Sequence, residues 1–236
     1  MAFWVAIGLV VVAMSSVGTA APSTTSTTSP RTSQGPAGKP TSLPDLLVQP
    51  RDSSALSVHL LPGGDQVQGQ ATLDLCNQTF PSESLRTQRL QDVAVDSSGA
   101  AILSTEAVLY RNAAATRQAF KELRGVRASC PKGPVTGSDG SKTTTTFRAT
   151  PDTTWPRTAS VEREAFSLST TDAQGASGES LAVYLRRGRV LLGVYFSKPN
   201  GPQPAIDGHT KPADIVKAFA TRIAQLPASF VADPGR

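Results

Sequence analysis

The run LRTQRLQDVAVDSSGAAILSTEAVLY, residues 85–110, decides the fold. Its first part turns strand-like toward its end, where Leu90, Val93 and Val95 carry the apolar positions. Asp96-Ser97-Ser98-Gly99 is turn chemistry. Ala100 to Tyr110 then returns with Ile102, Ser104, Glu106 and Val108 on one face and Leu103, Thr105, Ala107 and Leu109 on the other. Two such runs around a short polar turn predict a β-hairpin. The next element changes period. Asn112 is placed as an N-cap, and Thr116, Ala119, Phe120, Leu123 and Val126 recur at helical spacing over Ala113–Ala128. Cys130 and Pro131 end that helix.

Working outward, Leu46-Leu47-Val48 is a short apolar segment ended by Pro50. Ala55–Leu61 reads as a strand stopped by Pro62-Gly63-Gly64, and Ala71–Cys76 is short and partly apolar. Downstream, Pro131–Ser141 reads as a Gly/Pro/Ser loop, Thr143–Ala149 as a strand, and Ala159–Thr171 as a longer one. Ser180–Arg187 and Val190–Phe196 form a tight hairpin around Arg187-Gly188. The second strand of that hairpin is almost wholly apolar, which suits a strand covered on both faces. Thr210–Leu226 closes the chain as a helix, with Pro212 in its first turn and Ile215, Val216, Phe219, Ile223 and Leu226 facing inward. Strands joined by short turns and covered by helices define an α+β class: an antiparallel β-sheet packed with two main α-helices.

The 236 residues carry 23 Lys plus Arg against 18 Asp plus Glu, a formal charge of +5. With 39% apolar residues, the composition excludes a collagen, a coiled coil, a polytopic membrane protein and a fully disordered chain. Ala2–Met14 is an unbroken apolar run followed by small residues through Ala21. Residues 1–21 therefore read as a signal peptide cut after Ala20, or as an uncleaved anchor that would be the chain's one membrane contact. Either reading places the rest in the cell envelope or outside the cell. Residues 22–45 hold 16 Ser, Thr or Pro in 24 positions and read as a disordered linker. Residues 46–232 are the expected domain.

Cys76 and Cys130 are the chain's two cysteines. In an oxidising compartment an even number reads as a disulfide. This one would tie the segment before the hairpin to the end of the first helix. With no CxxC and two histidines in the chain, neither a redox pair nor a zinc site fits, and no metal or cofactor is expected.

Several of these stretches occur in a telling order. Leu75-Cys76-Asn77-Gln78-Thr79-Phe80-Pro81-Ser82-Glu83 precedes the hairpin. Val108-Leu109-Tyr110-Arg111 ends it. Ala119-Phe120-Lys121-Glu122-Leu123-Arg124 lies in the helix, which finishes at Ser129-Cys130-Pro131. The chain resembles the actinobacterial extracellular domains related to the sensor region of the PknH-type receptor kinase, over most of Leu46–Ala232. The resemblance implies a sheet packed with helices around a cleft, an unidentified envelope ligand, and no catalysis. The kinase sensor domain has a second disulfide that this chain lacks, and no kinase domain is present.

Catalytic signatures are weak. Gly137–Thr143 departs from a phosphate-binding loop by placing Ser141 between Gly and Lys, and a Thr run follows it instead of a helix. Ser129-Cys130-Pro131-Lys132 matches a bare SxxK with none of its companion motifs. His59 and His209 lie at opposite ends of the domain sequence. Glu162 and Glu164 share a strand face and could serve glycoside chemistry, but on a sheet such a pair more often meets Arg or Lys. Arg117, Lys121 and Arg124 form a stripe on the first helix, and Arg186, Arg187 and Arg189 crowd the late hairpin tip. Both groups are candidates for an anionic glycan or lipid headgroup. Nucleic acid is not an expected partner, because the aromatics do not interleave with the basic runs. The leading expectation is a non-catalytic ligand-binding or sensor-like envelope module. The alternatives are an envelope hydrolase using a His or the Glu pair, and a purely structural surface protein.

Overall fold

The structure is a computed structural model that describes residues 38–137, 140–149, 151–201 and 203–235. The expected signal or anchor segment, and most of the expected linker, lie outside the described residues.

Eight antiparallel strands form one sheet: β1 (Ser57–Leu60), β2 (Arg86–Val95), β3 (Ala101–Tyr110), β4 (Val135–Thr136), β5 (Lys142–Arg148), β6 (Glu162–Asp172), β7 (Ser177–Arg187) and β8 (Val190–Phe196). Their order across the sheet is β1-β2-β3-β8-β7-β6-β5-β4. Two meanders thus meet where β3 pairs with β8, with Glu106 opposite Gly193. Helix α1 (Ala113–Ser129) follows β3, α2 (Pro212–Gln225) follows β8, and a single turn, α3 (Ala228–Val231), ends the fold. The class is α+β, with a disulfide between Cys76 and Cys130 whose Cα atoms lie 5.7 Å apart.

The burial pattern explains the apolar run. β3 and β8 are buried at every position, because helices or loops cover both faces of the sheet centre. On one face α2 packs Ile215, Val216, Phe219 and Ile223 against Leu103, Val183, Leu192 and Val194. On the other, α1 packs Ala119, Phe120 and Leu123 near Val108, Tyr184 and Leu191. Asn112 caps α1 by accepting a hydrogen bond from Ala115 N at 2.9 Å. The hairpin turn is held by Asp96, whose Oδ1 accepts from Ser98 N and Ala100 N.

Three expectations need correction. The packed region starts before Leu46: Leu43 is buried in the α2-side core, and Asp45 accepts hydrogen bonds from the backbone of Thr41 and Ser42. Buried Leu46, Leu47 and Val48 form a strap under α2, and Val48 N donates to Thr105 Oγ1 at 2.8 Å. The Pro131–Ser141 segment contains strand β4, which pairs with the start of β5. The late hairpin tip is not a free cluster of cations. Arg187 donates to the carbonyls of Ile223 and Leu226, Arg189 donates to that of Phe230, and Arg186 pairs with Glu162. The C-terminal segment lies on that turn so closely that a Cβ on Gly188, at φ +57°, would collide with the Val231 carbonyl.

Candidate ligand-binding groove

Under α1, the sheet carries a diagonal of aromatic rings: Phe147 (β5), Phe166 (β6), Tyr184 (β7) and Tyr195 (β8), each edge-on to the next at 5.7–6.1 Å. The diagonal ends at a buried charge. Tyr195 Oη donates to Glu106 Oε2 at 2.9 Å, and Thr72 Oγ1 donates to Glu106 Oε1 at 2.8 Å. Arg89 pairs with Glu106, and it also donates to the carbonyls of Gly63 and Gly64 and to Gln91 Oε1. Arg89 and Glu106 are almost sealed from solvent. A buried pair holds only if every polar atom finds a partner, and here the 61–83 loop folded over β2 and β3 supplies Gly63, Gly64 and Thr72 beside Tyr195 and Gln91 of the sheet. Glu83 extends the set. Its carboxylate accepts from Thr72 N and Leu73 N and pairs with Arg86, while burial pushes it above the ordinary carboxylate range. Burial also pushes the Tyr184 and Tyr195 phenols well up. The Arg89–Glu106 pair itself is closed and satisfied, so it anchors a loop and does not present a site.

Glu162 and Glu164 do not stand free as a catalytic pair. Arg124 reaches both, and Arg186 reaches Glu162 from the neighbouring strand. The Arg186 hydrogen bond holds the Glu162 carboxyl below its usual value. These contacts divide the stripe on α1: Arg124 is tied to β6, while Arg117 and Lys121 remain exposed. His59 is exposed on edge strand β1 and His209 is exposed in the loop before α2, where Ile206 pairs with it in a lone bridge. Among the described residues, no group of three or more His, Cys, Asp and Glu side chains could hold a metal ion. No described helix is long and apolar enough to cross a membrane.

The open site lies on the α2 side, toward the β5 edge of the sheet. A half-open groove of about 650 Å³ runs between β5–β7 and the start of α2. Arg148 stands at the end of β5, Ser167 on β6, Glu179 on β7, Asn200 on the loop after β8, and Lys211 at the N-cap of α2. Trp155 adds an aromatic surface, with the Arg163 guanidinium 5.7 Å from its ring. Glu179 accepts a hydrogen bond from Asn200 Nδ2. The volume falls within the range of about 300–1,000 Å³ usual for small-molecule sites. None of these groove residues was singled out from the sequence as a candidate. They come from separate segments, each without a local motif.

No protein-family model matches the chain, and no curated protein matches it. Among solved structures it is similar to the crystal structure of the extracellular domain of PknH from Mycobacterium tuberculosis. That match has 13% identity and a TM-score of 0.36, over 73% of this chain and 77% of that one. A likeness so distant carries neither fold nor function. The architecture rests on the strand register and packing of this chain.

Proposed function

We propose that this protein is a non-catalytic, extracytoplasmic ligand-binding module of the cell envelope, and that the groove beside α2 is its binding site. The observation that carries the reading is the groove itself: a half-open concavity lined by both apolar and polar side chains, next to a sheet whose other charged cluster is closed. Export is supported by the apolar Ala2–Met14 run and by the disulfide, a bond that persists in oxidising compartments. The Glu pair proposed for hydrolysis is bound by arginines, which argues against a free acid/base couple there.

Native mass spectrometry of the protein purified from its own producing host tests the proposal. A reproducible non-protein adduct should accompany the chain, and it should be lost in Ala213→Trp, which fills the groove from the first turn of α2. An adduct that survives Ala213→Trp, or a bare polypeptide mass in every preparation, would refute the groove as the site.

A further inference from the structure

Resting on that reading, the lining of the groove also specifies the chemistry of its occupant. Two cations, Arg148 and Lys211, line it from opposite walls. Neither side chain has an ion-pair or hydrogen-bond partner among the described residues. The groove's carboxylate, Glu179, is already bonded to Asn200. The N-cap of α2, Lys211, offers no side-chain cap, and Pro212 follows it. The positive end of a 14-residue helix therefore faces the same wall. Asp214, the acidic residue of that turn, is not part of the lining. Two cations thus stand against one carboxylate in the lining, and among the described residues neither cation is paired with it.

The neutral part of the lining fits a sugar better than a hydrocarbon tail. The groove is half open, whereas an acyl chain would need an enclosed apolar tube. Trp155 offers a flat, amphipathic surface for the C–H face of a pyranose. The Ser167 hydroxyl makes no hydrogen bond among the described residues, and the Asn200 carbonyl oxygen remains as an acceptor beside it. We infer that the groove binds a saccharide bearing an oxyanion, either a uronic carboxylate or a phosphate. The oxyanion sits between Arg148, Lys211 and the first turn of α2, and a sugar face lies on Trp155.

Titration of the exported protein, followed by Trp155 fluorescence and by calorimetry, tests this. The probes are a galacturonic acid disaccharide, glucose 6-phosphate, the neutral galactose disaccharide and inorganic phosphate, with Trp155→Phe as the optical background for Trp4. Binding of either charged sugar should weaken roughly tenfold or more in Arg148→Ala and in Lys211→Ala, the loss of one charge-assisted hydrogen bond. It should also weaken as salt is raised. Both substitutions are at exposed positions, and unchanged circular dichroism verifies the fold. The uronate and phosphate arms identify which oxyanion is preferred. Equal binding of the neutral disaccharide, insensitive to both substitutions, overturns the oxyanion while leaving the groove as a ligand site. Inorganic phosphate binding as tightly as the sugar phosphate, with no effect of Trp155→Ala, overturns the saccharide. Failure of all four probes overturns the inference, and the native-mass experiment judges the groove separately.

Discussion

Gly193→Ala should be among the most damaging single-methyl changes in this protein. Gly193 lies opposite Glu106 on β3 and Tyr184 on β7. Two residues on, Tyr195 leans back across it to reach Glu106. A Cβ at position 193 would stand 2.9 Å from Tyr195 Cε2 and closer still to Cζ and Oη. Real carbon atoms do not approach that closely, and β3 and β8 are buried throughout, so the ring must move. Overpacking of this kind costs about 1–3 kcal/mol. Withdrawing the phenol also leaves Glu106 Oε2 without its donor, a loss of about 1.5–3 kcal/mol for a hydrogen bond to a charged group. The sum is roughly 2.5–6 kcal/mol, read as a shift of the urea midpoint at unchanged slope. Tyr195→Phe isolates the second part and should cost about 1.5–3 kcal/mol. In the Gly193→Ala/Tyr195→Ala pair the clash is gone, so the double mutant should be more stable than the sum of the singles by about 1 kcal/mol or more. A Gly193→Ala cost below about 1 kcal/mol, or strict additivity with Tyr195→Ala, would refute the steric reading.

Other expectations can be checked on the same material. Cys76→Ser/Cys130→Ser opens a loop with a sequence separation of 54 and should lower stability by about 4 kcal/mol on the chain-entropy estimate; a loss under about 1 kcal/mol by urea melting would contradict it. Arg222→Ala strands the Asp52 carboxylate, which is 1% exposed, and removes the donor to the Leu47 carbonyl, so a thermal melt should register a loss of about 3–5 kcal/mol. Acid should act on two carboxylates in opposite senses. Burial raises Glu83 above its ordinary 4.5, so the native state binds its proton more tightly, and the stability this group contributes falls as pH rises from 4.5 through its folded value. The Arg186 hydrogen bond lowers Glu162, so its contribution is present above 4.5 and is lost as pH falls through its folded value. Urea midpoints from pH 3 to 7 for Glu83→Gln and Glu162→Gln, each set against the parent, should differ in slope with opposite sign; a common sign would sink the assignment.

The hairpin and both long helices were legible in the sequence because each buries one face at its own period. Leu90, Val93 and Val95 sit in β2 as read, Asn112 caps α1, and Phe219 and Ile223 turn α2 inward. The apolar run of β8 was legible as central because only a strand covered on both sides tolerates it. The disulfide followed from cysteine count and compartment. What escaped reading depends on partners with no local signature. Arg89 and Glu106 look like ordinary polar strand residues until the 61–83 loop, which has no periodicity, closes over them. Arg186, Arg187 and Arg189 read as a candidate for an anionic glycan or lipid headgroup, because the backbone carbonyls that bind two of them lie in the chain's last turns. Val135-Thr136 is too short for alternation to show. The groove draws Arg148, Trp155, Asn200 and Lys211 from four segments, and only the folded sheet brings them together.

The strap from Leu43 to Val48 bears on mechanics. It lies in the α2-side core and is fastened by Val48 N to Thr105 on β3 and by Arg222 of α2 to the Leu47 carbonyl. If the protein is held in the envelope by its N-terminal end, tension enters the fold at this strap. The covalent bridge between Cys76 and Cys130 lies beyond it and carries none of that load at first. Force would peel the strap and loosen α2, whose first turn forms one wall of the groove, while β2, β3 and α1 stay clasped inside the bridge. In an optical-trap extension the first rip should therefore release the strap alone, and whatever the groove holds should change the force at which it comes away.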